Sequence, residues 1–134
     1  KSIAEFLKSN GVTRLAIANP KTAPYGLAAQ QYLSRLGLSE KLQGKTVFGE
    51  NIAQTFQFAY TGNAEIAIVA QSQVLLARSG SSWPIPISGY SSLEQDAVLL
   101  TKGRDNMAAV SFMSYLKSKE AAVIIEKFGY TVEP

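Results

Sequence analysis

Arg14-Leu15-Ala16-Ile17-Ala18, followed at once by Asn19-Pro20-Lys21-Thr22-Ala23-Pro24-Tyr25-Gly26, is the stretch that decides the fold. The first five residues read as a short apolar strand, and Asn19-Pro20 ends it, because the residue before a proline is pushed out of helical conformation. A helix is predicted from Pro24 to Leu36. Tyr25, Ala28, Ala29, Tyr32, Leu33 and Leu36 recur at the spacing of one buried helical face. Pro24 suits the first helical position, where no amide hydrogen is needed, and Gly37 suits the C-terminal cap. A strand leading within a few residues into a helix is the unit of an α/β fold. Its turn aims unpaired backbone amides and the positive end of the helix dipole beyond the sheet edge.

The same pattern recurs outward from this unit. Before it, Ser2-Ile3-Ala4-Glu5 has capping-box spacing for a short helix presenting Ile3, Phe6 and Leu7, stopped by Asn10-Gly11. After it come a turn over Ser39 to Leu42 and a strand over Lys45 to Gly49. Asn51 then caps a helix whose inner stripe is Ile52, Thr55, Phe56, Ala59 and Tyr60, ended by Gly62. Ile66 to Ala70 is a continuous apolar strand, which implies a sheet covered on both faces. A helix over Gln71 to Arg78 and a Ser/Gly/Pro-rich surface loop over Ser79 to Tyr90 follow, then a strand over Asp96 to Leu100. The last third reads as helices over Asp105 to Leu116 and Lys119 to Lys127. Ala121, Ile124, Ile125 and Phe128 form the buried face of the second, Gly129 breaks it, and Tyr130 to Val132 is a last short strand. Alternating strands and helices predict a mainly parallel sheet flanked by helices.

Composition narrows the chemistry. The 134 residues fit one domain, and 46% hydrophobic with 17% charged residues is ordinary for a globular protein. No apolar run approaches the roughly 20 residues that span a bilayer. Cysteine and histidine are absent, which removes thiol nucleophiles, Cys/His zinc sites and Ser-His-Asp triads. The net charge of +3 is scattered, without the Lys/Arg runs and aromatics of a nucleic-acid surface, so no nucleic-acid partner is expected. Glu50 beside Asn51, and Glu94 near Asp96, do not converge as acid/base pairs by spacing alone. No catalytic residue and no metal site are expected.

The remaining candidates are the helix starts at Pro24-Tyr25 and Asn51-Ile52, on the sheet edge where open α/β folds bind ligands. Together they suit an anion. Neither carries GxxxxGK[ST] or GxGxxG, so a compact oxyanion fits better than a nucleotide. Each residue also has a plainer reading: Tyr25 and Ile52 as core, Asn51 as a cap, Lys21 as an exposed loop cation, and Trp83 as a surface or loop-packing aromatic.

Arg14 to Pro20 with Ala23-Pro24-Tyr25-Gly26-Leu27-Ala28 resembles the second lobe of periplasmic molybdate-binding proteins, the substrate-binding components of ABC transporters. The resemblance continues through Gly49-Glu50-Asn51-Ile52-Ala53-Gln54, Gly62 to Val69 and Phe112 to Lys117. It ends at Ala121 to Ile125 and Phe128-Gly129-Tyr130, so it spans nearly the whole chain. It implies one lobe of a type II periplasmic binding protein fold, with no enzymatic activity and no cofactor. Molybdate or tungstate would be the transported ligand, a membrane permease the partner, and the periplasm the location. In that family hydroxyls and backbone amides hold the tetrahedral oxyanion between two lobes, without a cationic side chain in contact. Carried over by motif, Tyr25 is a ligand donor beside Pro24, and Ile52 donates through its amide beside Asn51. Some members add a tyrosine at the end of the next strand, where this chain has Ala70.

The family's first lobe has no counterpart here, and the C-terminal helices normally pack on it. The chain is therefore expected to be a fragment: an engineered domain, a proteolytic product or a piece of a longer protein. Micromolar affinity needs about 8 kcal/mol. Two or three amides supply roughly 3 to 9 kcal/mol gross, before several kcal/mol of association cost. One lobe alone is expected to bind at least a hundredfold more weakly than the parent, and to dimerise or domain-swap through its exposed apolar helix face. Rival readings are an effector-sensing lobe of a transcription regulator, a sulfate-type anion receptor, and an enzyme of similar two-lobe architecture.

Overall fold

The computed structural model describes residues 3–9 and 11–132. Ser2 and Asn10, the expected cap and stop of the first helix, lie outside the described residues. The chain divides into two compact units, Lys1–Leu93 and Glu94–Pro134.

The larger unit contains α1 (Ile3–Lys8), β1 (Leu15–Ala18), α2 (Pro24–Arg35), α3 (Ser39–Gln43), β2 (Thr46–Gly49), α4 (Ile52–Tyr60), β3 (Ile66–Ala67) and α5 (Gln71–Ala77). The strands form a parallel sheet in the order β2-β1-β3, with Leu15 opposite both Thr46 and Ile66. The β1-to-β2 connection runs one way along the sheet and the β2-to-β3 connection runs back across β1. Right-handed crossovers therefore place α2 and α4 on opposite faces.

Side-chain size agrees with that arrangement. All four β1 residues are buried. Leu15 and Ile17 pack with Leu7, Val12, Ala29, Leu33, Leu38 and Leu42 from the α1, α2 and α3 side. Each fully buried leucine contributes about 1.5–3 kcal/mol. The alternate residues, Ala16 and Ala18, turn to the other face. Alanines there leave room for α4, which crosses all three strands.

Helix ends fall where the caps predict. Gly37 has φ +68, and its amide donates to the Ser34 carbonyl while that of Leu38 donates to Leu33. This is a Schellman close, sealed by contact between the buried Leu33 and Leu38. Asn51 Oδ1 accepts from the Gln54 amide at 2.9 Å.

Several expectations need correction. Ser39–Gln43 is a short helix rather than a turn, because one helical turn carries both Leu38 and Leu42 into the core. Tyr60 is 63% exposed and stacks on Phe56 rather than joining the inner stripe. The third strand is only Ile66–Ala67, extended by the Ile68 amide bonding Ala16 O at 3.0 Å before the chain leaves for α5. Its residues are half-buried, since among the described residues β3 has a strand neighbour on one side only. The expected loop over Ser79 to Tyr90 holds, with a 3-10 turn at Ile87–Gly89 and Trp83 exposed.

In the smaller unit a 3-10 turn at Thr101–Gly103 precedes α6 (Met107–Tyr115) and α7 (Lys119–Lys127), capped by Asn106 and Ser118. Asp96 to Leu100 forms no strand, and neither does Tyr130 to Val132. A strand exists only through a partner, and none pairs with either segment among the described residues. Of the expected α7 face, Ala121 is buried, whereas Ile124 is 48% exposed and Phe128 36%. Two nine-residue helices have too few neighbours to cover that stripe. Among the described residues no helix is long and apolar enough to cross a membrane.

Candidate functional site

Parallel pairing puts the ends of β1, β2 and β3 on one edge of the sheet, and α2, α4 and α5 start there. The first two starts are tied together: the Asn19 amide, just past β1, donates to Gly49 O at the end of β2, at 2.8 Å. The intervening turn is braced from within. Asn19 Oδ1 accepts from Lys21 N at 3.0 Å, and Asn19 O accepts from Thr22 N and Ala23 N.

Two glycines seat the helix starts. A Cβ on Gly26 would lie 2.7 Å from the Ala18 carbonyl carbon and 2.8 Å from that of Asn19. A Cβ on Gly49 would lie 2.8 Å from the Thr55 amide nitrogen. Only glycine lets the first turns of α2 and α4 rest directly on the strand ends. The fully buried Thr55 completes the second seat, its hydroxyl donating to Asn51 O at 2.8 Å.

The sequence-predicted residues fall around this edge. Pro24 opens α2 after Ala23, an N-cap with no side-chain hydrogen bond. Tyr25 is half-buried at the second helical position, and Pro24 is exposed. Asn51 is exposed and caps α4, while Ile52 is half-buried at its first position. Asn51 Oδ1 takes the Gln54 amide and Asn51 O takes that of Thr55. Among the described residues the Ile52 and Ala53 amides therefore keep no acceptor. Gln54 Oε1 in turn accepts from Glu50 N at 2.7 Å.

At the third start, Ala70 is 5% exposed and presents no hydroxyl. A residue that sequence reasoning misses acts there instead. Gln73 Oε1 accepts from Ala70 N at 3.2 Å, and its Nε2 donates to Ile52 O at 3.1 Å. Its signal is a glutamine at the third helical position, three residues past the N-cap Ala70, where a side chain reaches back to the cap amide.

Lys21 is exposed on the turn before α2. A group of three or more His, Cys, Asp or Glu able to hold a metal is absent among the described residues. A polar groove lined by Gln30, Gln31, Ser34, Arg35 and Ser91 lies on the later turns of α2, and an apolar one in the smaller unit involves Leu99, Val110 and Met113. Neither includes the helix starts.

Residues 1–131 match the family described as bacterial extracellular solute-binding protein. The chain is 49% identical over 130 residues to the molybdate-binding protein ModA of Azotobacter vinelandii, covering 95% of this chain and 52% of that one. It is 47% identical over 119 residues to ModA of Rhodobacter capsulatus, covering 89% and 47%. The solved Azotobacter vinelandii periplasmic molybdate-binding protein superposes with a TM-score of 0.91 at 34% identity, over 100% of this chain and 60% of that chain. The chain thus spans about half the length of the curated relatives it matches. The helix-flanked parallel α/β fold expected from the sequence is the fold found. This chain belongs to the bacterial extracellular solute-binding protein family.

Proposed function

We propose that this chain forms the second wall of an oxyanion cleft in a periplasmic molybdate receptor that delivers its ligand to an ABC-type membrane permease. The observation that carries the reading is the pair of helix starts at one sheet edge, each seated through a glycine and joined by the Asn19–Gly49 hydrogen bond. The ModA proteins of Azotobacter vinelandii and Rhodobacter capsulatus, similar over about nine-tenths or more of this chain, supply the ligand class. In this reading Ile52 donates its backbone amide, and Tyr25 is the donor at the start of α2. Asn51 holds the α4 turn by capping it, and Pro24 sets the start of α2 without competing for an acceptor. The role is binding and release, with no bond made or broken and no cofactor. Tungstate, of the same shape and charge, is expected to bind as well.

The second wall alone leaves the anion wet and the contacts weak. The exposed face of α7 is proposed to meet a first lobe, and in the isolated chain to meet a second copy. Calorimetry on the full-length protein with molybdate, tungstate, sulfate and nitrate tests the reading. Saturable heat with molybdate and tungstate is expected, with nitrate silent. No heat with molybdate, or an equal response to nitrate, overturns it. The isolated chain is expected to bind at least about a hundredfold more weakly, as loss of half the donors requires.

A further inference from the structure

The geometry points to Gln73 as a positioning residue that holds the first turn of α4, and with it the Ile52 and Ala53 amides, in register for an anion. This inference rests on the proposed oxyanion reading for its functional consequence, and on hydrogen bonds within the chain for its mechanism. One side-chain amide spans two helix starts. Its oxygen accepts from Ala70 N at 3.2 Å and its nitrogen donates to Ile52 O at 3.1 Å. Both ends are partly buried, which shields them from competing water. Gln73 is the third residue of α5, and reaching back to the Ala70 amide is half of a capping box. The other half cannot form, because Ala70 has no side-chain acceptor.

The bond to Ile52 does more than join two helices. The Ile52 carbonyl and the Ala53 amide belong to one peptide group, so a donor on that oxygen polarises that N–H and makes it a stronger donor. It also fixes the tilt of the peptide plane in a turn whose first two amides keep no acceptor among the described residues. The start of α5, with alanine at its N-cap position 70, thus supplies no direct hydroxyl and acts at the edge through Gln73. The residue must be neutral: a carboxylate would still accept from Ala70 N, but would repel the Ile52 carbonyl and any anion beyond it.

Two substitutions in the full-length protein test this. Gln73→Met keeps length and removes both hydrogen bonds. Gln73→Glu keeps the acceptor and, once protonated, regains a donor. Calorimetry with sodium molybdate near neutral pH is expected to show about tenfold weaker binding for Gln73→Met, and weaker still for Gln73→Glu. In the ligand-free protein, the Ala53 amide resonance is expected to shift in both variants. In Gln73→Glu it should move back toward the unsubstituted position as the new carboxyl protonates. A purely structural role would lower the melting temperature without that reversible, pH-dependent shift. Unchanged molybdate affinity in Gln73→Met overturns the proposal, and so does an Ala53 resonance in Gln73→Glu that ignores pH. If the unsubstituted protein binds no molybdate, the oxyanion reading fails, and the Ala53 titration alone decides whether Gln73 positions the turn.

Discussion

Glu65 shows how much one exposed side chain can organise. It stands at the start of β3 and accepts from the Thr13 hydroxyl, from Thr13 N at 3.0 Å and from Arg14 N at 2.7 Å. The Thr13 hydroxyl, then the Arg14 and Thr13 amides, hold its carboxyl below the ordinary value of 4.5. A lowered folded pKa means that the fold binds the proton less readily than the unfolded chain does. The stabilisation is present above the unfolded pKa and is lost as pH falls through the folded one. Urea midpoints of Glu65→Gln should therefore lie below those of the unsubstituted chain at neutral pH and converge with them as pH falls from the ordinary glutamate value through the lower folded one. A constant gap across that range would contradict the assignment. Ile52 invites a sharper test, since proline is tolerated at the first helical position. Asn51, at φ −148 and ψ 175, already has the extended backbone that a following proline demands. Ile52→Pro deletes one N–H, and Ile52→Ala deletes a comparable side chain while keeping it. In the full-length protein Ile52→Pro should weaken molybdate binding about ten- to a hundredfold relative to Ile52→Ala. Equal affinities would remove the Ile52 amide from the site.

Elements that carry their own caps are legible in the sequence. α2, α4 and α7 begin or end within two residues of their Pro24, Asn51, Gly37 and Gly129 signals, because caps and 3.6-residue periodicity are local properties. Asp96 to Leu100 misleads because pairing is not local, and an apolar run does not reveal whether a partner lies beside it. The site divides in the same way. Helix starts at Tyr25 and Ile52 can be read from turns, whereas Gln73 acts on a residue 21 positions away and shows only as half a cap. The glycine seats are likewise visible only in three dimensions, and they separate glycines that look alike in sequence. Gly26→Ala and Gly49→Ala each force a Cβ into backbone and should destabilise by about 1–3 kcal/mol. Gly44, at φ −77 with nothing within 4 Å of where a methyl would sit, should accept alanine with a gain of about 0.4–1 kcal/mol. Thermal or urea unfolding of the three variants measures this contrast, and equal losses would mean the close approach at the strand ends is not real.

At the scale of the whole molecule, what stays uncovered matters as much as what is packed. The larger unit has a leucine-rich core built from α1, β1, α2, α3 and the connections between them. The smaller unit leaves Val98, Phe112, Val123 and Ile124 about half to three-quarters exposed. Contiguous apolar surface in water drives association, and each residue covered by a partner returns its transfer free energy. For the isolated chain this predicts a dimer or larger species whose population rises with concentration, seen as an average mass above 14.4 kDa by light scattering. Replacing Ile124 and Val123 by serine should shift the chain toward monomer without disturbing α7. The buried anchor of that helix is Ala121, and its N-terminus is held by Ser118, whose hydroxyl accepts from Ala121 N at 3.2 Å. Helicity by circular dichroism separates the two effects: retained helix with lower mass supports the exposed face as the contact. A chain that is already monomeric at high concentration would show that the face is tolerated in water.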